Sequence, residues 1–191
     1  QNLSHILYGF IPICCPNQSL QSAGGTAYSA LEQQCADKQD YEVVIHDEWA
    51  ALGISYPGDT WDQPIKGNFG QLMRMKATNP GIKVLPSVGG WTLSDPFFGM
   101  DNDANRATFV ASVKDFLLTW DLFDGVDIDW EFPGGGGAHG SLGQPSDAQT
   151  YVKLMRELRV MLDEVEAQTG RDMELTSAIG TSPRFIEAVD Y

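Results

Sequence analysis

Three features of the sequence predict an α/β fold built on a parallel sheet. Short apolar runs of strand length begin at Leu3, Ile82, Phe123 and Glu174. Between them lie segments whose apolar residues recur at helical spacing. The strand interiors are nearly continuously apolar, which is the pattern of βαβ units covered on both faces of the sheet.

Leu3 to Phe10 carries aromatics, ends before Pro12 and reads as a buried strand. Residues 16 to 40 are polar, with turns at Pro16-Asn17 and Gly24-Gly25 and a short helix over Tyr28 to Gln34. Tyr41 to Ile45 is a candidate for a second short strand. Phe69, Leu72, Met73 and Lys76 follow helical spacing, and Asn79-Pro80-Gly81 stops that helix because a residue before proline is driven out of the helical region. Ile82 to Val88 is the next strand. Phe109, Val113, Phe116, Leu117 and Trp120 make another helical stripe. The segment before it, Asp101 to Asn105, imitates a calcium loop, but Arg106 stands where glycine belongs and Ser112 where the terminal glutamate belongs, so a helix cap is expected. Phe123 to Trp130 reads as a strand with unusual charge. A longer stripe from Tyr151 to Val165 ends at Gly170, a C′ residue. Glu174 to Ile179 is the last strand, and Ser182-Pro183 supplies an N-cap and an N1 proline for a final helix. Gly134 to Gln149 is low in complexity, yet both flanks keep the β/α rhythm, so it reads as a long βα loop rather than a linker between domains. It lacks the lysine that a phosphate loop requires.

The chain of 191 residues carries 26 Asp and Glu against 12 Lys and Arg, a net charge of −14. Such a surface repels phosphate backbones and anionic lipid, so neither nucleic acid nor membrane is an expected partner. The longest nearly apolar stretch, Ile6 to Cys15, is about half of the roughly 20 residues that a spanning helix needs. Gln1-Asn2-Leu3-Ser4 contains no basic leader, so a secretion signal is expected outside this sequence. Cys14, Cys15 and Cys35 include no Cys-x-x-Cys pair, which argues against a thiolate zinc site, and no metal or cofactor is expected. They allow one bridge with a spare thiol, or three buried thiols.

The chemistry concentrates in Asp124-Gly125-Val126-Asp127-Ile128-Asp129-Trp130-Glu131. Strand alternation puts Asp127, Asp129 and Glu131 on one face and Val126, Ile128 and Trp130 on the other. Neighbouring carboxylates on one face of a low-dielectric sheet cannot all ionise cheaply, so at least one pKa rises and a protonated general acid becomes available. An exposed acidic edge strand would not need an apolar residue at every alternate position. Carboxylates also suit a divalent cation, but metal loops draw their oxygens from turns, whereas this segment reads as regular strand.

The octapeptide resembles the Asp-x-x-Asp-x-Asp-x-Glu signature of the family 18 glycoside hydrolases, the chitinases, and Ser87-Val88-Gly89-Gly90 resembles their Ser-x-Gly-Gly motif. Leu7-Tyr8-Gly9-Phe10, Gly90-Trp91-Thr92-Leu93-Ser94-Asp95-Pro96-Phe97-Phe98 and Trp130-Glu131-Phe132-Pro133-Gly134-Gly135 are similar to bacterial chitinases of the chitinase A type. The likeness covers practically the whole chain and implies a (β/α)8 barrel of TIM type with its site at the C-terminal ends of the strands. Residues 1–191 are then expected to be part of a catalytic barrel domain, about strands two to five with their helices. The remainder of the barrel is its expected partner.

The resemblance implies hydrolysis of β-1,4 links between N-acetylglucosamine units, with chitin and its oligomers as substrate. It implies a retaining mechanism in which the substrate's acetamido oxygen attacks the anomeric carbon. Glu131 is then the acid and later the base, Asp129 orients the acetamido group, and Asp127 shares a proton with Asp129. Ser87, ahead of Gly89 and Gly90, either hydrogen-bonds Asp127 or packs in the core. Trp91, with Thr92 beside it, is expected to floor a sugar ring. Phe10, Phe132 and Ala178 correspond to positions lining the cleft, with Ala178 leaving room for the acetamido methyl. Trp61 is either an exposed chitin-binding aromatic or a core residue. Likeness to secreted chitinases favours a Cys14–Cys35 bridge with Cys15 free, and an extracellular location. A lectin-like chitin-binding barrel and an endo-β-N-acetylglucosaminidase acting on N-glycans are the alternatives; Glu131 argues against the first and the aromatic loop at Trp91 to Phe98 against the second.

Overall fold

The computed structural model describes residues 3–189. Four parallel strands, β1 (His5–Ile11), β2 (Lys83–Gly89), β3 (Gly125–Asp129) and β4 (Glu174–Ser177), lie side by side in chain order. Between them run α1 (Gln18–Ala23), α2 (Ala27–Gln34), α3 (Gly67–Thr78), α4 (Asp103–Thr119) and α5 (Asp147–Thr169), and the short α6 (Pro183–Ile186) follows β4. Sequential parallel strands joined through helices make this a curved segment of a βα barrel.

The helices cover the convex face of the sheet. Val84 and Val88 of β2 and Val126 and Ile128 of β3 are buried there with Phe109, Val113 and Leu117 of α4 and Leu154, Leu158 and Leu162 of α5. Phe69 of α3 sits edge-on to Tyr8, Trp120 and Phe123, with ring centroids 5.2–5.3 Å apart, so α3 docks through an aromatic cluster. Asn102 caps α4 by accepting from the Ala104 N–H, and Gly170 ends α5 with a φ of 70°.

Several expectations need correction. β1 is not buried on both sides among the described residues: Ile6 and Tyr8 pack on the core, whereas Leu7 is 50% exposed on the concave face. Tyr41 to Ile45 is not a strand of the sheet. It makes a single antiparallel bridge, Ile13 to Val43, with Tyr41 held at a φ of 73°. The turn read at Pro16-Asn17 opens α1, which Asn17 caps by accepting from the Leu20 N–H at 2.7 Å. Met73 of α3 is 39% exposed rather than buried with its stripe. Ser182 starts α6 through its carbonyl, which accepts from the Phe185 and Ile186 N–H groups, while its hydroxyl makes no cap bond.

Residues between β1 and α3 fold over one end of the sheet around a small second core of Cys14, Leu20, Leu31, Val44 and Leu93. A Cys14–Cys35 disulfide closes this unit and leaves Cys15 as the free thiol. Asp95, in a 3₁₀ turn after β2 (Asp95–Gly99), accepts from both the backbone N–H and the hydroxyl of Ser19 at 2.8 and 2.6 Å. The loops after β1 and β2 are thereby locked together at the C-terminal ends of the strands. Asp147 at the start of α5 accepts from the N–H groups of Gly134 and Gln144 and clasps the glycine-rich loop after β3.

Candidate active site

β3 realises the alternation expected of it. Val126, Ile128 and Trp130 are buried in the convex core, and Trp130 stacks on Phe97 with ring centroids 5.5 Å apart. Asp127 and Asp129 therefore point to the concave face, in register with Ser87 and Gly89 of β2. Asp127 is only 2% exposed, and both of its oxygens are engaged: Ser87 Oγ donates to Oδ2 at 2.7 Å and Thr176 Oγ1 of β4 donates to Oδ1 at 2.6 Å. The hydrogen-bonding alternative for Ser87 is the one realised.

Asp129 is buried one pleat further along, and Glu131 follows beyond the end of the strand, half-buried. Burial, then the Glu131 carboxylate, then that of Asp127 push the Asp129 pKa from 3.8 up to about 6. Burial also raises the Glu131 pKa. The arrangement thus offers an acidic group that keeps its proton toward neutral pH and a second, hydroxyl-held carboxylate beneath it. The first aspartate of the octapeptide does different work: Asp124 accepts from the Lys76 ammonium at 2.6 Å and from the Val84 N–H at 2.8 Å, tying α3 and β2 to the start of β3.

The match to the family model Glycosyl hydrolases family 18 extends over residues 1–191. The chain belongs to that family. Among curated relatives it is 64% identical to Chitinase A of Pseudoalteromonas piscicida over its full length, covering 23% of that protein. It is 54% identical to Chitinase of Autographa californica nuclear polyhedrosis virus, covering 35% of it. Among solved structures, Chitinase ChiA74 from Bacillus thuringiensis superposes with a TM-score of 0.82 at 32% identity, over 98% of this chain and 32% of that one. The catalytic domain of psychrophilic chitinase B from Arthrobacter TAD20 gives 0.76 at 30% identity, over 98% and 47%. The chain therefore spans about a quarter to a third of the length of these curated relatives.

Within this family frame, the remaining expected site residues fall into two groups. Phe10, Trp91 and Ala178 are exposed near the C-terminal ends of β1, β2 and β4, the same end as Glu131. Trp91 is 51% exposed and is not part of the core. Gly90 has a φ of 99°, and a Cβ there would lie 3.1 Å from the Phe10 ring, so this glycine is what lets Phe10 close over the end of β2. Gly89, at a φ of 105°, has no room for a side chain against the backbone of Asp129. Phe132 is half-buried and packs on Phe185 with ring centroids 4.2 Å apart. Thr92 is half-buried in the turn after Gly90. Trp61 is separate from these residues in sequence and element; at 90% exposure it is no core residue.

Two contributors escaped the sequence reading. Thr176 is a polar residue in an apolar run, and only the register of β4 against β3 puts it opposite Asp127. Ser94 lies in a stretch singled out for its aromatics. Its buried hydroxyl receives the Glu131 N–H at 2.9 Å.

Proposed function

We propose that residues 1–191 form part of the catalytic barrel domain of a chitinase, hydrolysing β-1,4 links between N-acetylglucosamine units. The observation that carries this reading is the graded set of carboxyl groups at the end of β3. Asp127 is fixed by two hydroxyls, Asp129 is pushed up to about 6, and Glu131 is raised by burial where a substrate lying on the concave face would meet it.

In this mechanism Glu131 donates its proton to the glycosidic oxygen as the bond to the anomeric carbon breaks. The carbonyl oxygen of the substrate's own acetamido group attacks that carbon from the opposite side and forms an oxazolinium ion. Asp129 accepts a hydrogen bond from the acetamido N–H and stabilises the positive charge, sharing a proton with Asp127 in the resting state. Water then attacks the anomeric carbon while Glu131, now a carboxylate, takes its proton. Two inversions give net retention. Trp91, with Thr92, floors a sugar ring, and Phe10, Phe132 and Ala178 line the cleft. Trp61 engages the polymer away from the reacting bond. The disulfide-closed unit suits an extracellular enzyme, and no helix among the described residues is long and apolar enough to cross a membrane.

The test is the stereochemistry of the full-length enzyme acting on N-acetylglucosamine oligomers, followed by NMR of the newly formed reducing end. Retention, abolished in Glu131→Gln, is expected. Inversion, or turnover of a protein-linked N-glycan in preference to the oligomer, would overturn the reading.

A further inference from the structure

The β2–β3 ladder ends just before the candidate acid. It runs from Ser87 opposite Asp127 to Gly89 opposite Asp129, and its last bond is the Gly90 N–H donating to the Asp129 carbonyl at 2.8 Å. At Gly90, with its positive φ, β2 leaves the sheet. The Glu131 N–H, which a longer ladder would have paired with a carbonyl of β2, has no strand to meet. It donates to Ser94 Oγ at 2.9 Å instead.

That hydroxyl also lies 2.9 Å from the Gly90 carbonyl and 3.1 Å from the Asp129 carbonyl. A serine oxygen accepts through its lone pairs and has one proton to give, so it accepts from Glu131 and donates to one carbonyl or shares the proton between both. Ser94 is itself held: the Leu93 N–H donates to Gly90 at 2.9 Å, the Phe97 N–H donates to the Ser94 carbonyl at 3.0 Å, and the neighbouring Asp95 is clamped by Ser19. The Glu131 carboxyl, by contrast, receives no hydrogen bond from any side chain among the described residues. Its placement rests on the backbone from which it projects.

Resting on the assignment of Glu131 as the acid, we propose that Ser94 is a positioning residue for it. Its hydroxyl replaces the missing rung of the ladder and joins the last residues of both signature motifs, Gly90, Asp129 and Glu131, at one buried point. A proton donor must be held within a fraction of an ångström of its acceptor, and a displacement of about 1 Å can cost on the order of 100-fold in rate. Without the hydroxyl, the Glu131 N–H loses its partner and the end of β3 is free to shift.

The experiment compares Ser94→Ala, Ser94→Thr, Ser94→Cys and Glu131→Gln in the full-length enzyme, with kcat, KM and the pH profile measured on N-acetylglucosamine oligomers and folding followed by near-UV circular dichroism. Folded Ser94→Ala is expected to lose roughly 10- to 100-fold in kcat with KM changed less than about twofold. The alkaline limb of its profile is expected to move to lower pH, because a loosened Glu131 is less desolvated. Should the alanine variant not fold, Ser94→Thr is expected to exceed Ser94→Cys in kcat, since a thiol is the weaker acceptor. A folded Ser94→Ala with wild-type kcat and pH profile, or equal turnover in the threonine and cysteine variants, overturns the role of Ser94. An active Glu131→Gln overturns the assignment of the acid instead.

Discussion

His5 of β1 and Glu174 of β4 meet at 2.7 Å on the concave face, although β2 and β3 lie between their strands. Three strand spacings of about 4.8 Å separate such residues along a flat sheet, and side chains stand roughly perpendicular to it. Contact requires the strand normals to converge. The sheet is thus already curled as a barrel wall is, and the face bearing Asp127, Asp129, Ser87 and Thr176 is its inside. Both partners are substantially exposed, so the pair itself contributes at most about 1 kcal/mol. His5→Ala is expected to leave the denaturation midpoint nearly unchanged; a large loss would show that the pair, and not the strand twist, holds the curvature.

Glu131→Gln keeps the shape of the side chain and removes the transferable proton. In the full-length enzyme kcat on N-acetylglucosamine oligomers is expected to fall by roughly 10²- to 10⁴-fold, with oligomer binding by calorimetry preserved. Near-normal turnover would remove the central assignment.

Asp129 makes stability depend on pH. Its folded pKa, about 6, lies above the ordinary 3.8, so between these values the folded state binds more protons than the unfolded state. Stability contributed by this group is greatest below about pH 4 and declines as pH rises through about 6. Asp129→Asn, which cannot ionise, is expected to flatten the slope of Tm against pH in that window while turnover falls. Parallel slopes in the two proteins would count against the raised pKa.

Ser87 and Thr176 both serve one buried carboxyl group. Removing either donor, as Ser87→Ala or Thr176→Val, is expected to cost roughly 1–3 kcal/mol in urea unfolding. Because the two share Asp127, the double variant is expected to deviate from the sum of the single ones. Strict additivity would mean that Asp127 is solvated independently of both.

The Cys14–Cys35 bridge spans 21 residues of sequence. Restricting the unfolded chain by a loop of this size is worth about 3 kcal/mol. Non-reducing peptide mapping is expected to recover the Cys14–Cys35 peptide with Cys15 alkylated, and Cys14→Ser with Cys35→Ser to lose most of that stability. A Cys15–Cys35 peptide would contradict the structure.

Trp91→Ala is expected to weaken oligomer binding about tenfold, equivalent to about 1.4 kcal/mol, without lowering Tm, since half of the side chain faces solvent. Unchanged binding would detach Trp91 from the site.

The sequence by itself determined the local structure and the chemistry carried by single segments. Period 2 in Val126 to Glu131 sorted carboxylates from core, period 3.6 found α3, α4 and α5, and Gly170 marked where α5 stops, because these patterns depend only on backbone geometry within one element. The spacing of Asp127, Asp129 and Glu131 behind Ser87-Val88-Gly89-Gly90 was enough to point to the family. What only the tertiary structure decided are relations between segments far apart in the chain. Thr176 reaches Asp127 through strand register, Ser94 reaches Glu131 because β2 leaves the sheet at Gly90, and Asp124 serves α3 and β2 rather than the concave face. Leu7 is apolar yet half-exposed on the concave face, and Tyr41 to Ile45 has strand composition but, among the described residues, bridges Ile13 alone. Composition reports what a side chain prefers; register, curvature and the point where two strands diverge settle which neighbour it meets, and no local pattern encodes those distances.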